Sequence, residues 1–302
     1  MSKIIRMTTP PHLKKGDKIG IVAPARKISK EELQIAISTF EKWGLKVVLG
    51  KNLFGSENQY SGSDRQRADD LQKMLDDTSI RAIISARGGY GTLRIIDLLN
   101  FSSFKKNPKW IIGYSDITVL HSHIHQNLET ETLHATMPVN FHKDEESVET
   151  LRQFLFGEKI TYSVPAHPLN KEGKSDGLLA GGNLSLLYAL KGSRSMLSTG
   201  GKILFIEDLD EYLYHIDRMM ISLKRAGKLS HLAGLVVGGM ADMKDNPIPF
   251  GKTAEEIIFD AVKEFDYPVC FGFPAGHQAK NLALPFGRRA KLIVNKKASL
   301  SF

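Results

Sequence analysis

Cysteine is nearly absent from this 302-residue chain, which has a single one, Cys270. One cysteine makes no intrachain disulfide, so a small disulfide-held scaffold is excluded and the usage fits a reducing compartment. Cys270 lies in the apolar run Pro268-Val-Cys-Phe-Gly272. A buried, inert thiol is expected there; a catalytic cysteine would need a nearby base. Long apolar runs are missing too. No segment approaches the roughly 20 apolar residues of a membrane span. Residues 1–15 hold no apolar stretch of signal-peptide length. The expectation is a soluble, cytoplasmic protein without a membrane partner.

Extended basic blocks are also lacking. Lys and Arg number 41 against 33 Asp and Glu, a net charge of +8, which allows an anionic partner. The lysines are scattered, however. Lys105-Lys-Asn-Pro-Lys109 and Lys296-Lys297 are short and not interleaved with aromatics, so solvated surface is expected and no nucleic-acid partner. What remains is ordinary globular composition, 42% hydrophobic and 25% charged. At roughly 150 residues per domain the length suggests two domains.

The first half alternates strand and helix. Short apolar runs at 18–23, 45–49, 81–86 and 109–112 read as buried strands. Helical patterns lie between them and after the last: one opened by the capping box Ser29-x-x-Glu32 and stopped at Gly44, one over 64–76 capped by Ser63, and others over 92–99 and 116–127. This alternation predicts an α/β fold, with a parallel sheet covered by helices on both faces. Residues 141–176 are polar and loop-rich apart from a helix at 145–156, and are read as a linker between a domain over 1–140 and one over 177–302. The second half resumes with strands at 202–206, 232–237, 268–271 and 290–294, and helices at 184–190, 211–225 and 253–265.

Ligands of α/β sheets bind beyond the carboxyl ends of strands, so the residues there are the candidates. Gly113-Tyr-Ser-Asp116 follows the fourth strand. A tight turn there exposes the Ser115 hydroxyl as a nucleophile elbow does, and the Asp116 N–H can face a developing oxyanion. The usual elbow reads G-x-S-x-G, and Ile117 takes its last place; either residue also serves as a plain helix cap. His277 sits in a Gly/Pro-rich loop after a strand, as a base for a serine or as a surface histidine. Glu207 follows Ile203-Leu-Phe-Ile206, where it orients an imidazole or simply ends a strand. Serine, acid and histidine at three strand ends make a possible triad.

Other motifs are less specific. Arg87-Gly-Gly-Tyr-Gly-Thr92 suits an anion or a tight turn but fits neither nucleotide fingerprint. His121 and His125 share a helical face, yet Ser122 stands where a metallopeptidase motif needs Glu. His134 and His142 lack ligand-like spacing. No metal and no cofactor are expected.

Taken in order, these motifs resemble a known family, the murein LD-carboxypeptidases, metal-independent serine peptidases. The likeness runs through Gly16-Asp-Lys-Ile-Gly-Ile-Val-Ala-Pro24, Gly62-Ser-Asp-Arg-Gln-Arg-Ala-Asp-Asp-Leu71, Ala86-Arg-Gly-Gly-Tyr-Gly91 and Ile112-Gly-Tyr-Ser-Asp116. It continues in Gly181-Gly-Asn-Leu-Ser185, Glu207-Asp-Leu-Asp-Glu211 and Gly272-Phe-Pro-Ala-Gly-His277. Ala23-Pro24 replaces a frequent Ser-Pro. The resemblance implies a flavodoxin-like N-terminal domain carrying the nucleophile Ser115. It implies a smaller, mixed α/β C-terminal domain carrying Glu207 and the general base His277. The backbone N–H groups of Asp116 and a glycine of the 88–91 loop, Gly89, would form the oxyanion hole. Arg87 is the candidate for the substrate carboxylate. The implied substrate is a muropeptide, with terminal D-alanine cut from the L-centre of a murein tetrapeptide, and the implied assembly is a homodimer.

Three alternatives stand beside it. A branch resembling microcin-immunity peptidases cleaves aminoacyl-nucleotide toxins and often carries an aromatic-rich insertion. None is obvious between Ser115 and Glu207. The others are a non-catalytic anion-binding module on the same fold and a generic esterase, which the incomplete elbow opposes.

Overall fold

The computed structural model describes residues 7–302; the first six residues of the opening read above lie outside the described residues. The first half runs β1 (Lys18–Val22), α1 (Lys30–Lys42), β2 (Lys46–Leu49), α2 (Asp64–Asp76), β3 (Ile80–Ser85), α3 (Thr92–Ile95), α4 (Ser102–Lys106), β4 (Trp110–Gly113), α5 (Thr118–Leu128) and β5 (Thr132–His134). Next come α6 (Glu145–Phe156), β6 (Thr161–Val164), β7 (Gly173–Asn183), α7 (Leu184–Ala189), β8 (Lys202–Leu209), α8 (Leu213–Arg225), β9 (Gly234–Ala241) and α9 (Ala254–Val262). The chain ends with β10 (Val269–Cys270), β11 (Leu284–Phe286), β12 (Arg289–Val294) and β13 (Ala298–Ser301).

Local chemistry sets the helix starts. The Ser29 hydroxyl accepts the Glu32 N–H while the Glu32 carboxylate accepts the Ser29 N–H. Ser63 with Gln66 and Thr253 with Glu256 repeat the arrangement. Gly44, at φ 82°, carries the chain out of α1 into β2.

Strands β2-β1-β3-β4-β5 pair in parallel in that order, the flavodoxin-like order. Burial on both faces explains their unbroken apolar runs. Ile84 and Ile112 share a core cluster with Leu33 and Phe40 of α1 and Phe154 of α6. Ile83 and Ile111 share another with Leu71 of α2 and Ile124 of α5. Each such side chain contributes about 1.5–3 kcal/mol when fully buried. The second sheet is mixed: β10-β9-β8-β7 are parallel, and β12, β13 and β6 continue it antiparallel.

Several details differ from the sequence expectation. Ser115–Ile117 is a 3-10 turn, and α5 begins only at Thr118. The helix expected over 92–99 is α3 followed by a 3-10 turn, Ile96–Leu98. Residues 141–176 carry β6 and the start of β7 as well as α6. The short strand β11 crosses to the first sheet and pairs antiparallel with β5. One core cluster accordingly runs from Ile19 and Ile84 through to Phe205 and Leu292, so the two sheets meet along a continuous apolar seam. The carboxyl ends of β1, β3, β4 and β8 open onto one cleft there.

Candidate active site

Ser115 leaves β4 through a turn that only certain residues allow. Gly113 has φ 151°, and a Cβ on it would lie 2.8 Å from Ile117 Cγ1. Ser115 itself has φ 63°. This left-handed conformation costs an L-residue about 1–2 kcal/mol, and such strain concentrates at functional sites. It turns the hydroxyl toward the second sheet, where Ser115 Oγ lies 3.1 Å from His277 Nε2.

Glu207 holds the other side of that ring. His277 Nδ1 lies 2.6 Å from Glu207 Oε2, and the same oxygen accepts the His277 backbone N–H at 3.1 Å. Glu207 is fully buried in β8. It sits where the β8–β9 register shifts between Ile206 and Asp208, the kind of irregularity that re-aims a side chain. The close approach requires Gly276, at φ 102°: a Cβ there would lie 2.6 Å from Glu207 Oε2. The Tyr114 ring packs on the imidazole, centroids 4.8 Å apart, and the Tyr114 hydroxyl accepts from Asn140 at 2.7 Å. Burial alone would lower the His277 pKa, but the Glu207 carboxylate outweighs it and the net shift is upward. The bond to Glu207 keeps the neutral ring's proton on Nδ1, leaving Nε2 to accept from Ser115. A hydroxyl, a base and an orienting carboxylate in series are what acyl transfer through a serine ester needs.

The remaining candidates fall around this series. Asp116 is buried, and its Oδ2 accepts the Thr92 N–H at 2.7 Å, so its side chain ties the glycine loop to the serine turn. Burial raises its carboxyl pKa. Gly88 lies directly against Ser115, since a Cβ on it would stand 2.9 Å from Ser115 Cβ and 3.0 Å from Oγ. Gly89, at φ 118°, lies one step further out under the Arg26 stem. Arg87 lines the same cleft, but its guanidinium sits 3.5 Å from Glu32 and donates to the Lys27 carbonyl at 3.2 Å.

The cleft has a volume of about 740 Å³ and is lined by charges of both signs. Arg26, Arg87 and Lys143 bring cations, and Asp208, Asp210 and Glu211 bring acids. Asp208 accepts from Asn183 Nδ2 at 2.7 Å and from the Ser185 N–H at 2.9 Å. Burial, with Glu207 beside it, pushes its carboxyl up to about 7. Sequence reasoning passed over Arg26, Asn140 and Lys143. Arg26 carried a signal, because it follows β1 just as the other candidates follow their strands.

The other singled-out residues, His142 apart, lie in packing roles. His121 Nε2 pairs with the Gly113 carbonyl at 2.9 Å and His125 Nε2 with Thr132 Oγ1 at 3.2 Å. Burial lowers their pKa values to about 4 and about 3. His134 is fully buried against Phe205 and Phe286, while His142 lines the cleft. Cys270 is buried, which pushes its thiol up to about 12. Among the described residues no three His, Cys, Asp or Glu side chains are placed to share a metal ion, and no helix is long and apolar enough to cross a membrane.

Comparison with known proteins agrees with this architecture. Residues 19–135 match the LD-carboxypeptidase N-terminal domain and residues 176–292 the LD-carboxypeptidase C-terminal domain. A probable murein peptide carboxypeptidase of Bacillus subtilis (strain 168) is 37% identical over 297 residues, covering 96% of this chain and 93% of that protein. The crystal structure of muramoyltetrapeptide carboxypeptidase from Oxalobacter formigenes shares the fold, with a TM-score of 0.85 at 24% identity over 94% of this chain and 98% of that one. So does MccF in complex with glutamyl sulfamoyl guanosine, with a TM-score of 0.85 at 22% identity over 98% of both chains. With both domain models matched in order and a relative alike over nearly its whole length, this chain belongs to the LD-carboxypeptidase family of serine peptidases.

Proposed function

We propose that Ser115, His277 and Glu207 form a catalytic triad that removes the terminal D-alanine from murein tetrapeptides in cytoplasmic peptidoglycan recycling. The observation that carries this reading is the unbroken series from Ser115 Oγ through the imidazole to the buried Glu207 carboxylate, at 3.1 and 2.6 Å. The name of the Bacillus subtilis relative, a probable murein peptide carboxypeptidase, supports the substrate class.

In the first step His277 Nε2 takes the Ser115 proton while Oγ bonds to the scissile amide carbon. The resulting oxyanion is met by the Asp116 N–H and an N–H of the Gly88–Gly89 turn. Glu207 stabilises the imidazolium without taking its proton. Collapse breaks the C–N bond, and His277 passes the proton to the departing D-alanine amine. Water then attacks the ester, giving its proton to His277. Serine leaves with that proton and the shortened peptide is released.

The test is mass spectrometry of a murein tetrapeptide incubated with the full chain, with EDTA present and Ser115→Ala in parallel. Loss of one alanine with the wild type alone is the expected result. No loss with folded protein overturns the reading, and an aminoacyl sulfamoyl nucleoside run alongside then tests the alternative substrate.

A further inference from the structure

The flavodoxin-like sheet has its reversal of strand order between β1 and β3, and ligands of such sheets sit in the crevice beyond the carboxyl ends of those two strands. Beyond β3 lies the Gly88–Gly89 turn against Ser115. Beyond β1 lies Arg26. Its stem crosses Gly89 so closely that a Cβ on Gly89 would lie 2.2 Å from Arg26 Cδ and 2.3 Å from Cγ. Glycine at 89 is therefore what lets the arginine lie over the turn, and the left-handed φ of 118° fits no other residue without strain.

The two arginines of this crevice differ in one decisive respect. Arg87 is held by Glu32 and the Lys27 carbonyl. Arg26 is exposed to the cleft, and its guanidinium has no ion pair or hydrogen bond among the described residues. A guanidinium left unmatched beside a nucleophile offers a planar fork shaped for a carboxylate.

Substrate geometry places such a carboxylate here. In a planar trans peptide the carbonyl oxygen lies on the same side as the next Cα. The terminal carboxylate of a C-terminal residue therefore sits near the oxygen that becomes the oxyanion. If that oxygen is met at the Gly88–Gly89 turn, the carboxylate falls beside whatever crosses the turn. We propose that Arg26 binds the free α-carboxylate of the substrate's C-terminal residue and so restricts the enzyme to carboxypeptidase cleavage. This assignment rests on the hydrolase reading above and adds the group that enforces its exo-specificity.

The experiment compares kcat/KM of the full chain for a murein tetrapeptide ending in D-alanine with that for the same peptide ending in D-alaninamide. The wild type, Arg26→Ala, Arg26→Lys and Lys143→Ala are measured, with Tm recorded for each. Charge-assisted bonds of this kind change such ratios roughly 10- to 100-fold. The wild type should prefer the free acid by that factor. Arg26→Ala should lose it through the acid, chiefly as a higher KM, with a far smaller change for the amide. Arg26→Lys should restore part of it. Wild-type turnover whose acid preference survives Arg26→Ala overturns the Arg26 assignment alone, as does transfer of the effect to Lys143→Ala. No wild-type turnover of either peptide overturns the hydrolase reading and Arg26 with it.

Discussion

Glu207 meets His277 at two points with one oxygen, since Oε2 lies 2.6 Å from the ring Nδ1 and 3.1 Å from the backbone nitrogen. The carboxylate thus fixes both the tautomer of the ring and the loop that carries it. Glu207 lies near the carboxyl end of a buried parallel strand, whereas His277 lies on an irregular turn, so the rigid element orients the softer one.

The first prediction concerns pH. The net effect of burial and the Glu207 charge raises the His277 pKa above its ordinary value, which lies near ~6.5. A raised pKa favours the protonated ring, and the base is the neutral ring. The acid limb of kcat/KM should therefore lie above ~6.5, with activity rising as pH increases through it. Glu207→Gln removes the charge that raises the pKa, so the limb should move to lower pH while kcat falls by about 10²- to 10⁴-fold. A limb that stays in place, read from a pH–rate profile, would show that Glu207 does not set the His277 charge.

Ser115 should separate activity from stability. Its φ of 63° disfavours any residue with a Cβ. Ser115→Ala keeps that cost and removes the hydroxyl, so kcat should fall by on the order of 10⁵- to 10⁶-fold with little change in Tm. Ser115→Gly is equally inactive but relieves about 1 kcal/mol of strain. Its Tm should exceed that of Ser115→Ala in calorimetry. Equal Tm values would mean that the turn is not strained at this position.

Much of this was legible because it is local. Strand ends follow from apolar runs, and the rule that ligands lie beyond them pointed to Ser115, Glu207 and His277, which the fold joins in series through the His277 ring, although β8 runs on to Leu209 and holds Glu207 inside the strand. Where a feature depends on pairing across the chain, the sequence was silent. Strand β11 is three residues long and pairs with β5 about 150 positions earlier, and no periodicity shows in three residues. The choice between Gly88 and Gly89 also depends on approach distances, because both glycines look alike until Ser115 and Arg26 are seen to lie over different ones. Arg26 carries the strand-end signal, but its place over the glycine turn shows only when the strand order puts β1 next to β3.

Gly276 tests how closely the carboxylate must approach. An alanine there would put its Cβ 2.6 Å from Glu207 Oε2 and 2.7 Å from its Cβ and Cγ, at a φ of 102°. None of these neighbours is a free side-chain end, so the His277 turn must move. Displacements of about 1 Å cost roughly 10²-fold in rate. Gly276→Ala should lose at least that in kcat while keeping the native circular dichroism spectrum. Full activity would show that the turn tolerates the shift.

The floor of the cleft hangs on one buried cation. Arg67 in α2 has no exposed side-chain surface. It donates to the carbonyls of Pro24, Gly91 at 3.0 Å and Gly62 at 3.3 Å, and pairs with Asp64. Its guanidinium also lies 4.9 Å from the Tyr60 ring centroid. Pro24 precedes Arg26 by two residues and Gly91 ends the glycine loop, so this guanidinium ties together two segments that line the cleft with Ser115. Arg67→Met keeps most of the volume but leaves the three carbonyls without their donor, while Asp64 keeps Arg94. Leaving buried acceptors unsatisfied in this way costs about 1–3 kcal/mol each, which for a chain of this size lowers Tm by roughly 5–15 °C. Arg67→Lys should recover little, because an ammonium cannot span three separate carbonyls as the fork does. The discriminating measurement is KM alongside Tm. If Arg67 positions the cleft, KM should rise severalfold well below the melting transition; an unchanged KM would confine Arg67 to stability.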